Sequence, residues 1–241
     1  MSDAVLPPDA APETDAAPRP DRAAPRPLDA VLLAGGRATR LDGASKPELV
    51  VGDRSLLQHA IDAARSAGAR RIVVVGPAGL RAPGCLVVRE DPPFGGPVAA
   101  IAAGLAARDA GPAASVVLVL ACDLPSARAA TARLLERRGG ARDADGLCLV
   151  DADQRVQWLA AVYARAALDR AFAELPGPAD GAAMRHLAAA LDLVEVADDG
   201  TAADIDTWPD LERARGRADP AGRTDLTPSS TDRPHPPRSQ S

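Results

Sequence analysis

Seven short apolar runs constrain what this chain can fold into. They are "DAVLL" (29–33), "RIVVV" (71–75), "CLVVRE" (85–90), "SVVLVLACD" (115–123), "GLCLVD" (146–151), "VQWLAAVY" (156–163) and "LDLVEV" (191–196). Most are apolar at consecutive rather than alternate positions, so both faces of each strand need cover. Ala-rich stretches of helical length stand between most of them. "SLLQHAIDAARSAG" (55–68) begins on a plausible cap, Ser55, and turns Leu56, Ile61 and Ala64 inward. The helix after the third run opens on Pro97, where no N–H is needed. Further helices are predicted at 127–138, 164–174, 181–190 and in "WPDLERARG". This alternation predicts an α/β fold, three-layer and Rossmann-like, with a mostly parallel sheet covered by helices on both faces. Such sheets bind ligands beyond the carboxyl ends of their strands, where the loops after 33, 90 and 121 all fall.

With two Phe, two Trp and one Tyr in 241 residues, the core has to be built from Ala, Val and Leu. Residues 1–27 and 216–241 are rich in Pro, Ala, Asp and Arg and cannot bury enough surface to order themselves. They are expected to be disordered tails around one domain, 28–215. A net charge of -5 gives no support to nonspecific nucleic-acid binding. Cys85, Cys122 and Cys148 form no CxxC pair, so reduced thiols are expected. The N-terminus lacks the pattern of a signal peptide, and no apolar run reaches membrane-spanning length. The expected setting is the cytoplasm, with neither nucleic acid nor membrane as partner. His59, His186 and His235 show no ligand spacing.

Of 28 basic residues only one, Lys46, is lysine. A compact ammonium on a flexible stem suits a phosphate oxygen, whereas arginine is a planar fork. Lys46 follows a strand that ends in Ala34-Gly35-Gly36, whose backbone N–H groups are free of Cβ obstruction and can wrap a triphosphate. Arg37 and Arg40 add charge there. The string is not a P-loop, nor does a G-x-G-x-x-G fingerprint follow the first strand. In "REDPPFGGPVAAIAAGL", Glu90 and Asp91 precede a Gly-Gly-Pro helix opening aimed at the same edge. In "VVLVLACDLP", Asp123 ends the most apolar strand, and a carboxylate there needs a partner. Mg²⁺ is the natural one, since it takes few carboxylates plus substrate phosphates; the alternative is a helix cap. In "ADIDTWPDLERA", Asp204 and Asp206 share one side of an extended segment, with Thr207 or Asp210 as candidate caps for the last helix.

These four strings, in this order, carry a resemblance. "LLAGGRATRLDGASKPEL" resembles the L-A-G-G-x-x-x-R-M-G-x-x-x-K signature of MobA-like nucleotidyltransferases, the molybdenum cofactor guanylyltransferase family. Leu41 stands for the usual Met, and Asp42 for the usual Gly. "DPPFGGPVAAI", "ACDLP" and "DIDTWPDL" are similar to that family's D…GPLAGI, ACDMP and D-I-D-T-P-E-D-L elements. The resemblance implies that Leu33, Ala34, Gly35 and Gly36 wrap the nucleotide, and that Lys46 contacts its phosphates with Arg40 nearby. It also implies Asp91 on the nucleotide, Asp123 on nucleotide and Mg²⁺, and Asp206 as a second metal ligand. Lys46, Arg40 and Asp123 are then the catalytic set. Gln157 or Trp158 would line the acceptor cleft, and Gly76 replaces an Asn that helps read the base. The implied activity is Mg²⁺-dependent transfer of GMP from GTP to molybdopterin with release of pyrophosphate. The alternatives are a cytidylyltransferase or other NTP transferase using another phosphorylated small molecule, and a degenerate nucleotide-binding protein without catalysis.

Overall fold

The computed structural model describes residues 26–35, 45–107, 113–141 and 143–218. The expected tails lie almost wholly outside these. In chain order the elements are β1 (Leu28–Leu33), a single 3-10 turn (Lys46–Glu48), β2 (Val50–Val51), β3 (Arg54–Ser55), α1 (Leu56–Ser66), β4 (Arg71–Val75) and β5 (Leu86–Val88). Then follow α2 (Gly96–Ala106), β6 (Val116–Ala121), α3 (Ala127–Arg138), β7 (Gly146–Val150), β8 (Val156–Ala164), α4 (Arg165–Ala173), α5 (Met184–Ala188), β9 (Leu193–Ala197) and α6 (Trp208–Ala218).

Seven strands form one sheet in the order β5-β4-β1-β6-β8-β7-β9, and only β8 runs against the other six. The reversal has a local cause. Too few residues separate β7 from β8 for a crossover, so the chain must turn back as a hairpin. Asp151 closes that turn, its Oδ1 accepting from the N–H groups of Asp153 and Arg155 at 2.9 Å each. The amino end of β8 therefore lies at the edge where the other strands end.

Period-two alternation sorts the strands between two cores. Ala30 and Leu32 of β1 join Leu118 and Leu120 of β6 beneath Leu57 and Ile61 of α1 and Leu134 of α3. Val31, Leu33, Val117 and Val119 face the other way, toward Val98 and Ile101 of α2, Leu168 of α4 and Leu187 of α5. The predicted α1 cap is real: the Ser55 hydroxyl accepts from Gln58 N–H (3.2 Å), and Gln58 Oε1 accepts from Ser55 N–H (2.9 Å). The strands at 85–90 and 115–123 are shorter than expected, ending at Val88 and Ala121. Both acidic ends thus fall in turns.

α2 crosses β1 closely, because a Cβ on Gly104 would lie 2.5 Å from Val31 Cγ1. Gly104→Val is expected to lower the unfolding free energy by about 2–3 kcal/mol through overpacking. Denaturant unfolding monitored by circular dichroism measures this, and a neutral result would mean that α2 can shift outward freely.

A third, smaller cluster holds the functional edge together. Val51, Leu56, Ile205, Leu211 and Ala214 pack the β2–β3 hairpin against α6 and the segment before it. Arg215 Nε donates to the Val50 carbonyl (3.1 Å) across the same seam. This contact brings the lysine-bearing turn beside Asp206, which lies 160 residues further along the chain.

Candidate functional site

Beyond Ala121 the chain leaves the sheet. Cys122 N–H still donates to the Leu33 carbonyl (2.9 Å), and the next residue, Asp123, turns its carboxylate into the edge between β1 and β8. The Asp123 carbonyl accepts from Ile205 N–H at 3.0 Å, which fixes the 204–206 segment against it. Carboxylate oxygens of Asp123, Asp204 and Asp206 lie within 4.8 Å of one another. Lys46, presented by the 3-10 turn, donates from Nζ to Asp206 Oδ1 and reaches Asp123 Oδ2 at 3.5 Å. The other Asp123 oxygen, Oδ1, is buried and has no hydrogen-bond partner among the described residues.

The helix cap at 207 is not made by Asp206. Asp210 Oδ2 accepts from Thr207 N–H (2.7 Å) and from the Thr207 hydroxyl (2.6 Å), and Thr207 Oγ1 accepts in return from Asp210 N–H (3.4 Å). Capping thus belongs to Thr207 and Asp210, and the Asp206 side chain is turned to Lys46. Upstream, Asp198 knots the approach to this segment. Its carboxylate accepts from the N–H groups of Gly200 (3.0 Å), Thr201 (3.1 Å) and Ala202 (2.9 Å) and from the Thr201 hydroxyl. Burial pushes the Asp198 carboxyl up, but those donors outweigh it and hold the group below its ordinary value.

Like charge is crowded in this cluster. Burial, then the neighbouring Asp204 and Asp206, push the Asp123 carboxyl above its usual value against the pull of Lys46. Asp204 is also raised, by burial first and Asp206 second. For Lys46, burial favours the neutral amine, yet Asp206 and Asp123 together outweigh it and raise its value. Among the described residues the arrangement is one ammonium beside three carboxylates. Hard carboxylate oxygens with one orphaned buried atom fit a divalent cation such as Mg²⁺.

Two cavities meet at Asp123. One, of about 320 Å³, is lined by Leu33, Gly35, Glu90, Phe94, Pro97 and Asp123, among others. The second, of about 250 Å³, includes Gln157, Trp158, Leu159, Met184, Asp204 and again Asp123. Gln157 is held by a bond from its Nε2 to Asp151 Oδ2 (3.0 Å), and the Trp158 carbonyl accepts from the Tyr163 hydroxyl (2.8 Å).

The structure brings Lys46, Asp123 and Asp206 together and places Leu33 and Gly35 on the first cavity. Ala34 is buried behind the cavity, its N–H donating to the Val75 carbonyl (2.8 Å). Gly36 and Arg40, like Arg37 and Asp42, lie outside the described residues. Asp91 is exposed and is not among the lining residues; the buried acid that faces the cavity is its neighbour Glu90, 8% accessible. Both acids lie beyond the end of β5 at Val88, where strand alternation no longer sets side-chain direction, so only the fold of this turn separates them. Asp204 was legible as an acid on the right segment, but its place beside Asp123 depends on the long-range fold. At Gly76 a Cβ would crowd Leu80 Cδ2 (3.1 Å) and Ala34 Cβ (3.2 Å), so a side chain there would displace the loop at 34–35.

A family model described as the MobA-like NTP transferase domain matches residues 30–195. The molybdenum cofactor guanylyltransferase of Bradyrhizobium sp. (strain ORS 278) is 41% identical over 101 residues, 39% of this chain and 47% of that protein. The match thus spans about half the length of that relative. Among solved structures, Rv0371c from Mycobacterium tuberculosis matches at TM-score 0.59 and 25% identity, over 79% of this chain and 98% of its own. The same protein in complex with manganese matches at TM-score 0.56 and 23% identity, over 78% and 97%. The 2-C-methyl-D-erythritol 4-phosphate cytidylyltransferase of Thermus thermophilus matches at TM-score 0.57 and 21% identity, over 80% and 98%, a likeness of fold. Among the described residues no helix is long and apolar enough to cross a membrane.

Proposed function

This chain belongs to the MobA-like NTP transferase family, and we propose that it is a guanylyltransferase that moves GMP from GTP onto the terminal phosphate of molybdopterin. The observation that carries the reading is the ammonium and three carboxylates at the junction of two cavities. Donor nucleotide occupies the cavity of Gly35 and Glu90, acceptor that of Gln157 and Trp158, and their phosphates meet at Asp123. An acceptor phosphate oxygen attacks the α-phosphorus, the bond to the β-phosphate breaks, and pyrophosphate leaves. The acceptor oxygen is already anionic at neutral pH, so no side-chain nucleophile is required. What the protein supplies is in-line positioning and charge stabilisation.

Asp123, Asp204 and Asp206 would hold Mg²⁺, which when bound supplies positive charge shared by donor and acceptor phosphates. Lys46 exchanges its carboxylate partners for phosphate oxygens and follows the charge that builds on the leaving group. The backbone N–H of Gly35, just beyond β1 on the donor cavity, helps orient the triphosphate. Glu90 reads the base: guanine offers two adjacent donors, N1–H and N2–H, to a carboxylate, and no other common base does. The name of the Bradyrhizobium relative supports molybdopterin as the acceptor.

The test is pyrophosphate release from purified protein with Mg²⁺, molybdopterin and each of the four nucleotides. GTP is expected to be preferred, and Glu90→Gln to reduce the preference for GTP over ATP by about 1–3 kcal/mol, one buried charged hydrogen bond. A preference for CTP would make the protein a cytidylyltransferase. Nucleotide binding without pyrophosphate release would make it a binder that has lost catalysis.

A further inference from the structure

Phe94 is held exposed to solvent and in a backbone conformation that its side chain disfavours. It is 56% accessible, the most exposed large apolar side chain among the described residues. Its φ is +67°, in the left-handed region that bulky side chains avoid and glycine enters freely. Its ring nevertheless lines the 320 Å³ cavity together with Glu90 and Gly35. The surrounding turn fixes it there. Phe94 N–H donates to Glu90 Oε1 (3.0 Å), the guanidinium carbon of Arg89 lies 5.5 Å from the ring centroid, and the Gly95 carbonyl accepts from Gly181 N–H (2.8 Å).

A solvent-facing aromatic in a sparsely populated conformation at a cavity mouth is the pattern of a residue kept for a ligand. Building on the nucleotide reading above, we propose that Phe94 is the stacking platform for the nucleobase of the donor. Every base has a π-face, so the platform adds affinity for all nucleotides, most for the larger purines, and leaves discrimination to Glu90. A single hydrogen bond, from Phe94 N–H to Glu90, couples the group that holds the base face to the group that reads its edge.

Phe94→Gly separates this role from a structural one, because glycine adopts φ +67° without strain. Calorimetric titration with Mg²⁺ is expected to show GTP binding weakened by about 5- to 100-fold. Binding of inorganic tripolyphosphate, which has no base, is expected to be unchanged, and the melting temperature unchanged or raised. Phe94→Tyr retains a ring and is expected to bind GTP like the wild type. The proposal is overturned if Phe94→Gly keeps full GTP affinity, if it loses GTP and tripolyphosphate equally, or if Phe94→Tyr is as impaired as Phe94→Gly. Wild-type protein that binds tripolyphosphate but no nucleotide would overturn the proposal together with the nucleotide reading beneath it, whereas wild-type GTP binding with an unaffected glycine variant overturns the platform alone.

Discussion

Asp123→Asn is expected to lower pyrophosphate release by about three orders of magnitude, the scale for losing a group that organises transition-state charge, while leaving the fold at least as stable. The two effects have one origin. Asp123 sits at the junction of both cavities, so its carboxylate is the group best placed to act on donor and acceptor phosphates together. The same carboxylate is poorly supported by its protein neighbours. Its Oδ1 is buried without a partner among the described residues, its Oδ2 reaches Lys46 only at 3.5 Å, and two more carboxylates stand close by. Asparagine keeps the shape and removes the charge, and Lys46 keeps its stronger contact to Asp206. Thermal melting with and without Mg²⁺ and GTP, run beside the turnover assay, reads both effects. Activity within tenfold of wild type would move the principal metal ligand to Asp206 or Asp204. A large fall in melting temperature would show Asp123 to be a structural residue.

The sheet was legible because it depends on local pattern. Consecutive apolar residues at 72–75 and 116–121 fit a strand covered on both faces, and no other part of the chain is needed to see it. The site was legible in part. Its glycine loop, Lys46 and Asp123 each sit beside a strand end, where topology alone directs ligands. The juxtapositions were not legible, because they are made by contacts far apart in sequence. Lys46 meets Asp206 only because β2–β3 packs on α6 through Val51 and Leu211. The hairpin itself consists of two-residue strands, too short to leave a periodic signal. Motif matching points to Asp91, whereas the buried acid lining the cavity is Glu90, and the turn beyond β5 that separates the two carries no periodic signal. Phe94 gives no sequence signal at all, since left-handed φ is read from glycine and asparagine and not from phenylalanine.

Changing the single lysine should move two observables in opposite directions. The Lys46 ammonium lies among the carboxylates that suit a metal, bonded to Asp206 and 3.5 Å from Asp123. It therefore neutralises part of the cluster and competes for the same oxygens. Lys46→Met has nearly the same reach without the charge. It is expected to strengthen binding of Mn²⁺ by the nucleotide-free protein roughly tenfold, a change of about 1.4 kcal/mol, as measured by titration calorimetry. Its turnover is expected to fall by about 10²- to 10³-fold, because the mobile cation on the leaving pyrophosphate is gone. Lys46→Arg keeps the cation, so Mn²⁺ affinity should stay near that of the wild type. Turnover should still drop, since a planar fork held by the same turn cannot follow a phosphoryl group as a compact ammonium does. A residue that served only to stabilise the fold would lower melting temperature in both variants and leave metal affinity unchanged. Tighter Mn²⁺ binding by the methionine variant, together with loss of turnover in both, is the combination that requires Lys46 to guard the carboxylates before the nucleotide arrives and to serve its phosphates afterwards.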